Sequence, residues 1–116
     1  MDMTTIAALF TMFSGEEDVE TFEPVLIAAI EEVTQELKQT VTDARLDYLA
    51  AAVANLRYTQ IFGAREKALA TYAGTLRRAS DFEQQMRFAK QLVYSYKKLC
   101  GDLLKDSGFA FFGCRG

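Results

Sequence analysis

Apolar residues along the chain fall into a helical rhythm broken by short polar stretches. MTTIAALFTMF, residues 3 to 13, predicts a short first helix, with Thr4 or Thr5 as its cap and Gly15 just past its end. The acidic loop GEEDVETFE follows. Pro24 then opens a second helix, where its missing N–H is no loss, with Thr21 as a nearby cap. Leu26, Ile27, Ile30, Val33 and Leu37 recur at helical steps and form one apolar stripe ending near Lys38. Glu31, Glu32, Gln35 and Glu36 occupy the other face.

The third segment, DARLDYLAAAVANLRYTQIFG at 43 to 63, differs in kind. Asp43 is its cap and Gly63 its expected end. Leu46, Leu49, Ala50, Val53, Leu56 and Ile61 spread over a wide arc, and Ala50, Ala51, Ala52 and Ala54 allow neighbouring helices to come close. A helix apolar on most of its circumference is either central in its bundle or faces another subunit.

Residues 64 to 80, AREKALATYAGTLRRAS, carry mixed signals. The alanines permit helix, while Leu69, Thr71, Tyr72 and Thr75 favour strand, with Ala73-Gly74 where a turn is needed. The expectation is a short hairpin or extended loop. Ser80 and Glu83 match a capping box for a long last helix reaching about Lys105. Phe82, Met86, Ala89, Val93, Tyr96, Cys100 and Leu103 form its stripe. Arg87, Lys90, Lys97 and Lys98 form its polar side, and Gly108 ends it. The fold class expected is therefore mainly α: a small bundle of three to four helices with a short β-hairpin or extended loop between the last two. Residues 1–106 form one domain, with the loop at about 64–80, and 107–116 form a tail.

Composition sharpens this picture by exclusion. The balance of 50% apolar and 25% charged residues is ordinary for a globular chain of 116 residues. No run of about 18 apolar residues predicts a membrane span. The N-terminal apolar patch lacks the positive flank of a signal peptide, so the expected site of synthesis and assembly is the cytoplasm. Cys100 and Cys114 have no metal-binding spacing and read as reduced thiols. Histidine is absent, which removes the commonest general base and metal ligand together.

The net charge of −3 conceals an asymmetry. Residues 1 to 55 hold eleven acids and two bases; residues 56 to 116 hold five acids and eleven bases. Unlike portions suit head-to-tail association, although halves of a sequence need not be halves of a surface.

Candidate catalytic sets are poor. Glu16-Glu17-Asp18 and Glu31-Glu32 are adjacent in sequence and so diverge on a helix. The serines have no histidine partner, and the scattered glycines form no phosphate loop. No enzymatic activity, metal or cofactor is expected. Arg77, Arg78, Arg87, Lys90, Lys97 and Lys98, with Tyr94 and Tyr96 nearby, form a basic contact face that could meet nucleic acid or the acidic face of a neighbour. The acidic balance of the chain argues against tight phosphate binding. In the tail, Phe109, Phe111 and Phe112 each gain roughly 2 kcal/mol from burial, so they either fold back on the bundle or insert into a partner.

The order of parts resembles the small head–tail connector, or adaptor, proteins of tailed phages and prophages. RLDYLAAAVANLRYTQ at 45 to 60, TYAGTLRRAS at 71 to 80 and LLKDSGFAFFG at 103 to 113 carry the resemblance, and none of them is a catalytic signature. The resemblance implies a structural virion protein that forms a ring, usually of twelve subunits, under the portal protein. Such a ring extends the DNA channel, lets DNA pass without specific binding, and offers a platform to the next neck or stopper protein. It further implies that 107–116 docks on the portal through Phe109, Phe111 and Phe112, and that 64 to 79 projects toward the lumen or the next ring. Leu46, Leu49, Val53, Leu56 and Ile61 would lie between subunits or in the core. The alternative is a small helical regulatory or nucleic-acid-associated module.

Overall fold

The computed structural model describes the backbone of residues 1–73 and 76–105, and the side chains of 1–62 and 82–105. Four α-helices follow in order: α1 (Met3–Ser14), α2 (Glu23–Gln35), α3 (Arg45–Ala73) and α4 (Leu76–Leu99), then a single 3-10 turn at Gly101–Leu103. The fold is mainly α, and among the described residues there is no strand, only one isolated antiparallel bridge between Leu37 and Leu104.

The helix starts follow local chemistry. Asp2, rather than Thr4 or Thr5, caps α1: its carboxylate accepts from the Thr4 N–H at 3.2 Å and the Thr5 hydroxyl at 2.7 Å. Gly15 closes the helix with φ of 79°, and its N–H donates to the Thr11 carbonyl. That left-handed conformation is open to glycine at no steric cost. Pro24 sits in the first turn of α2, as its geometry favours, but no side chain caps that helix. Thr21 instead bonds back to Asp18. Asp43 accepts from the Arg45 N–H at 2.9 Å and so serves the start of α3.

The hairpin expected at 64–80 is not formed. Helix α3 continues through Gly63 to Ala73, and Ser80 lies inside α4 rather than at its cap. Ala64, Arg65, Glu66, Lys67, Ala68 and Ala70 are good helix formers in series, and Leu69, counted above toward strand, is one as well; together they outweigh Gly63 and the strand-favouring Thr71 and Tyr72. Of Ala73-Gly74, where the turn was expected, Ala73 ends α3, and Gly74 lies outside the described residues. At the far end α4 stops at Leu99 and not near Lys105, replaced by the 3-10 turn.

Helix α3 is the hub. Helices α1, α2 and α4 each pack on it, and none packs extensively on another. Leu46, Leu49, Val53, Leu56 and the four residues Ala50, Ala51, Ala52 and Ala54 are buried within the single chain. Ile6 and Phe10 of α1, Leu26, Ala29 and Val33 of α2, and Ala89 and Val93 of α4 join them in the core, with Tyr58, Cys100 and Leu104.

Helical geometry assigns faces. Asp47 bonds the Asp2 N–H, and Tyr58 meets Phe10, so the stripe through Asp47, Ala51 and Tyr58 faces α1. Tyr48 meets Tyr96, so the stripe through Tyr48, Ala52 and Thr59 faces α4. Arg57 pairs with Glu32 of α2. Tyr48 and Arg57 are about two and a half turns apart, so α4 and α2 flank opposite sides of α3.

Ile61 departs from the expected arc: it is 53% exposed. The reason is length. The 29 residues of α3 span ~43 Å, whereas the 12 and 13 residues of α1 and α2 span only ~18 to 20 Å. Tyr58 already meets Phe22, the residue just before α2, so α3 has outrun its cover one turn later.

Close approach to α1 needs the small side chain at 51. Ala51→Leu is expected to lower stability by about 1–3 kcal/mol through overpacking. Ala28→Leu, on the exposed face of α2, should change it by less than about 0.5 kcal/mol. The urea midpoint at constant m-value measures both.

Candidate functional site

Three features outside the plain core carry chemistry: two charged flanks, a polar junction at the base, and a cavity beside α3.

On α4, Arg87, Lys90 and Lys98 are exposed and Lys97 is half-buried. Their spacing sets them on one side of the helix, about a third of a turn from the buried Ala89, Val93 and Cys100. Lys98 lies over the Tyr94 ring at 5.2 Å, and Tyr94 is itself exposed. Tyr96 is different: it turns inward between Phe13 and Tyr48. Arg77 and Arg78 belong to α4 by backbone, but their side chains lie outside the described residues, as do Phe109, Phe111, Phe112 and the whole 107–116 tail.

On the opposite flank, Glu20, Glu23 and Glu31 are exposed on and just before α2, with Glu17 and Asp18 in the preceding loop. Among the described residues, the salt bridges join Arg45 to Asp43 and Asp102, and Arg57 to Glu32. None involves Arg87, Lys90 or Lys98, nor Glu20, Glu23 or Glu31.

Arg45 organises the base. Its guanidinium pairs with both oxygens of Asp43 and both of Asp102, and donates to the Leu99 carbonyl at 2.9 Å. One side chain thus ties the start of α3 to the end of α4, where the unpaired carbonyls of a helix C-terminus welcome a cation. The Arg45 hydrogen bonds hold the Asp43 and Asp102 carboxyls below the usual carboxylate range, and the two acids raise Arg45 in turn. Beside this junction the Cys100 thiol is fully buried, and burial pushes it up to about 11. The Lys38 N–H donates to the Leu103 carbonyl and the Lys105 N–H to the Glu36 carbonyl, so the chain leaves the described region pinned to the end of α2.

The cavity, of about 130 Å³, lies between the end of α1, the middle of α3 and the first half of α4. Phe13, Ser14, Asn55, Tyr58, Thr59, Phe62, Gln85 and Phe88 line it. The α3 members recur at helical steps and share one face. Asn55 is only 3% exposed, yet no hydrogen bond joins its side-chain amide to any described residue. Sequence reading passed over Asn55, treating it as part of an apolar helix. The available signal was a lone carboxamide inside LAAAVANL, at a position that helical spacing buries.

Scanned against known protein families, curated proteins and solved structures, the chain matches none. The described residues hold no group of three or more metal-ligating side chains, and none of their helices is long and apolar enough to cross a membrane.

Two outcomes follow from the base. Asp43 and Asp102 titrate below their unfolded values, so their contribution is complete above about pH 5 and is lost as the pH falls below about 4. Melting temperature measured from pH 6 to 2 should fall through that window, and less steeply in Arg45→Met. In a Cys114→Ser chain the remaining thiol, Cys100, should react with iodoacetamide at pH 8 far more slowly in the native state than in urea, because the thiolate is the reactive form.

Proposed function

We propose that this chain is a structural head–tail connector of the tailed-phage kind. It assembles head to tail into a ring under a portal protein, extends the DNA channel, and receives the next neck or stopper protein. The observation that carries the reading is the pair of charged flanks. Acidic Glu20, Glu23 and Glu31 and basic Arg87, Lys90 and Lys98 stand on opposite sides of α3 without salt-bridge partners among the described residues. A heterologous contact repeated around an axis joins two such flanks at every interface and closes a ring.

The resemblance of the segments at 45 to 60, 71 to 80 and 103 to 113 supports the same reading. Three details change with the fold. Because the chain itself buries Leu46, Leu49, Val53 and Leu56, the ring contact lies on the outer faces of α2 and α4 instead. The element offered to the lumen or the next ring is the helical extension of α3 and α4, not a β-hairpin. Lys105 is held beside the end of α2, and in this reading Phe109, Phe111 and Phe112 beyond it dock on the portal. The role needs no cofactor or turnover, and the protein resides in the virion neck after assembly in the host cytoplasm.

Mass photometry of the chain with its portal, at low and high salt, tests the reading. The expected result is a ring-sized complex on the portal, weakened by salt because the contact is between exposed charges. Glu23→Lys with Glu31→Lys, or Lys90→Glu with Lys98→Glu, should each abolish assembly, and mixing the two variants should restore it in part. Removing residues 107–116 should abolish portal binding. A monomer that ignores the portal but shifts duplex DNA at physiological salt would establish the regulatory module instead.

A further inference from the structure

We propose that the cavity beside α3 is a binding site for a single-ring planar compound bearing a carboxamide or lactam edge. It would be gripped edge-on by the Asn55 carboxamide and face-on by the surrounding rings. This inference is independent of the connector reading.

The size sets the first limit. At about 130 Å³ the cavity is close to the roughly 150 Å³ apolar cavity known to take benzene in another protein, so it admits one six-membered ring with a small substituent. Phe13, Phe62 and Phe88 and the body of Tyr58 supply aromatic walls, and Tyr58 and Phe62 lie nearly parallel at 5.4 Å. Such walls favour a flat, unsaturated guest.

The polar atoms set the second limit. The Ser14 hydroxyl donates to the Phe10 carbonyl and accepts from the Glu16 N–H. The Tyr58 hydroxyl donates to Glu16 at 2.9 Å, and the Thr59 hydroxyl donates to the Asn55 carbonyl at 2.7 Å. Those donors already have acceptors. Gln85 is exposed at the rim. What remains inside is the Asn55 carboxamide, 3% exposed and bonded to no described residue. It offers an acceptor and a donor side by side, and the group that matches both at once is another amide edge. That pairing on one side, with rings on the others, selects compounds such as benzamide or uracil over a plain hydrocarbon of the same size.

The test uses the full chain, labelled with ¹⁵N and titrated with benzamide, uracil and, as the shape control, toluene. The expected result is saturable shifts of the Asn55 side-chain NH₂ and the Thr59 amide for benzamide and uracil, with Kd of about 1 mM or tighter. Toluene should bind at least about tenfold more weakly, for want of the paired hydrogen bonds. Asn55→Leu should remove the preference for benzamide. Absence of saturation up to about 10 mM, equal affinity for toluene and benzamide, or an unchanged preference in Asn55→Leu would each overturn the proposal. If Asn55→Leu does not fold, the benzamide and toluene comparison on the wild-type chain decides alone.

Discussion

The close approach of three helices to the surface of α3 between Leu46 and Thr59 is the constraint on which this molecule depends. Four alanines in that stretch are fully buried, and each lets a neighbour's backbone come near where a longer side chain would hold it off. Helices α1, α2 and α4 do not pack extensively on one another, so they share a core only because each shares α3. Apolar burial at roughly 25 cal/mol per Å² makes this hub the chief source of stability. It also places the acidic α2 and the basic α4 on opposite flanks, since a helix surrounded on most sides keeps its neighbours apart.

The ends of this arrangement are fastened by polar contacts of long sequence separation. Arg45 joins Asp43, Asp102 and the Leu99 carbonyl, and the Leu37–Leu104 bridge sews the segment after α2 to the segment after α4. Glu32 and Arg57 hold α2 along the side of α3, and Tyr58 collects Phe10, Phe22 and Phe62 around one ring. These exposed or half-exposed ion pairs add little energy singly, but a fork that engages two carboxylates and a carbonyl at once fixes how α3 and α4 meet. Among the described residues, the hub leaves outward two unlike charged flanks and a cavity lined by a carboxamide and aromatic rings.

Much of the helical plan was legible in the chain because the signals were local and agreed with one another. The stripe in Leu26, Ile30 and Val33, Pro24 in a first turn, Gly15 past the end of α1 and Asp43 at the start of α3 each depend on a few neighbouring residues. The misread element was 64–80, where strand-favouring residues and a mid-segment glycine were weighed as local evidence. A helix already propagating from Arg45 adds one hydrogen bond per residue, and it carries through such positions at small cost. Ser80 shows the same effect: a capping-box pattern has no force inside a helix that has already begun. Of the candidate site, the basic and acidic residues were legible as types and spacings, whereas their arrangement on opposite flanks was not.

The chain's own pattern is enough to say that it is helical, that 46 to 61 calls for cover on most sides, and that acids and bases are divided between its two halves. Periodicity and composition suffice for those, because each follows from the chain's own neighbours. What covers 46 to 59 comes from the folded arrangement, and the answer is the same chain rather than another subunit. That arrangement also decided that Ile61 lies beyond that cover, that Arg45 bridges two helix ends, and that Asn55 is left inside without a hydrogen-bond partner among the described residues. Each of these depends on which distant segment arrives at a given face, and helix lengths and crossings set that, not any local pattern.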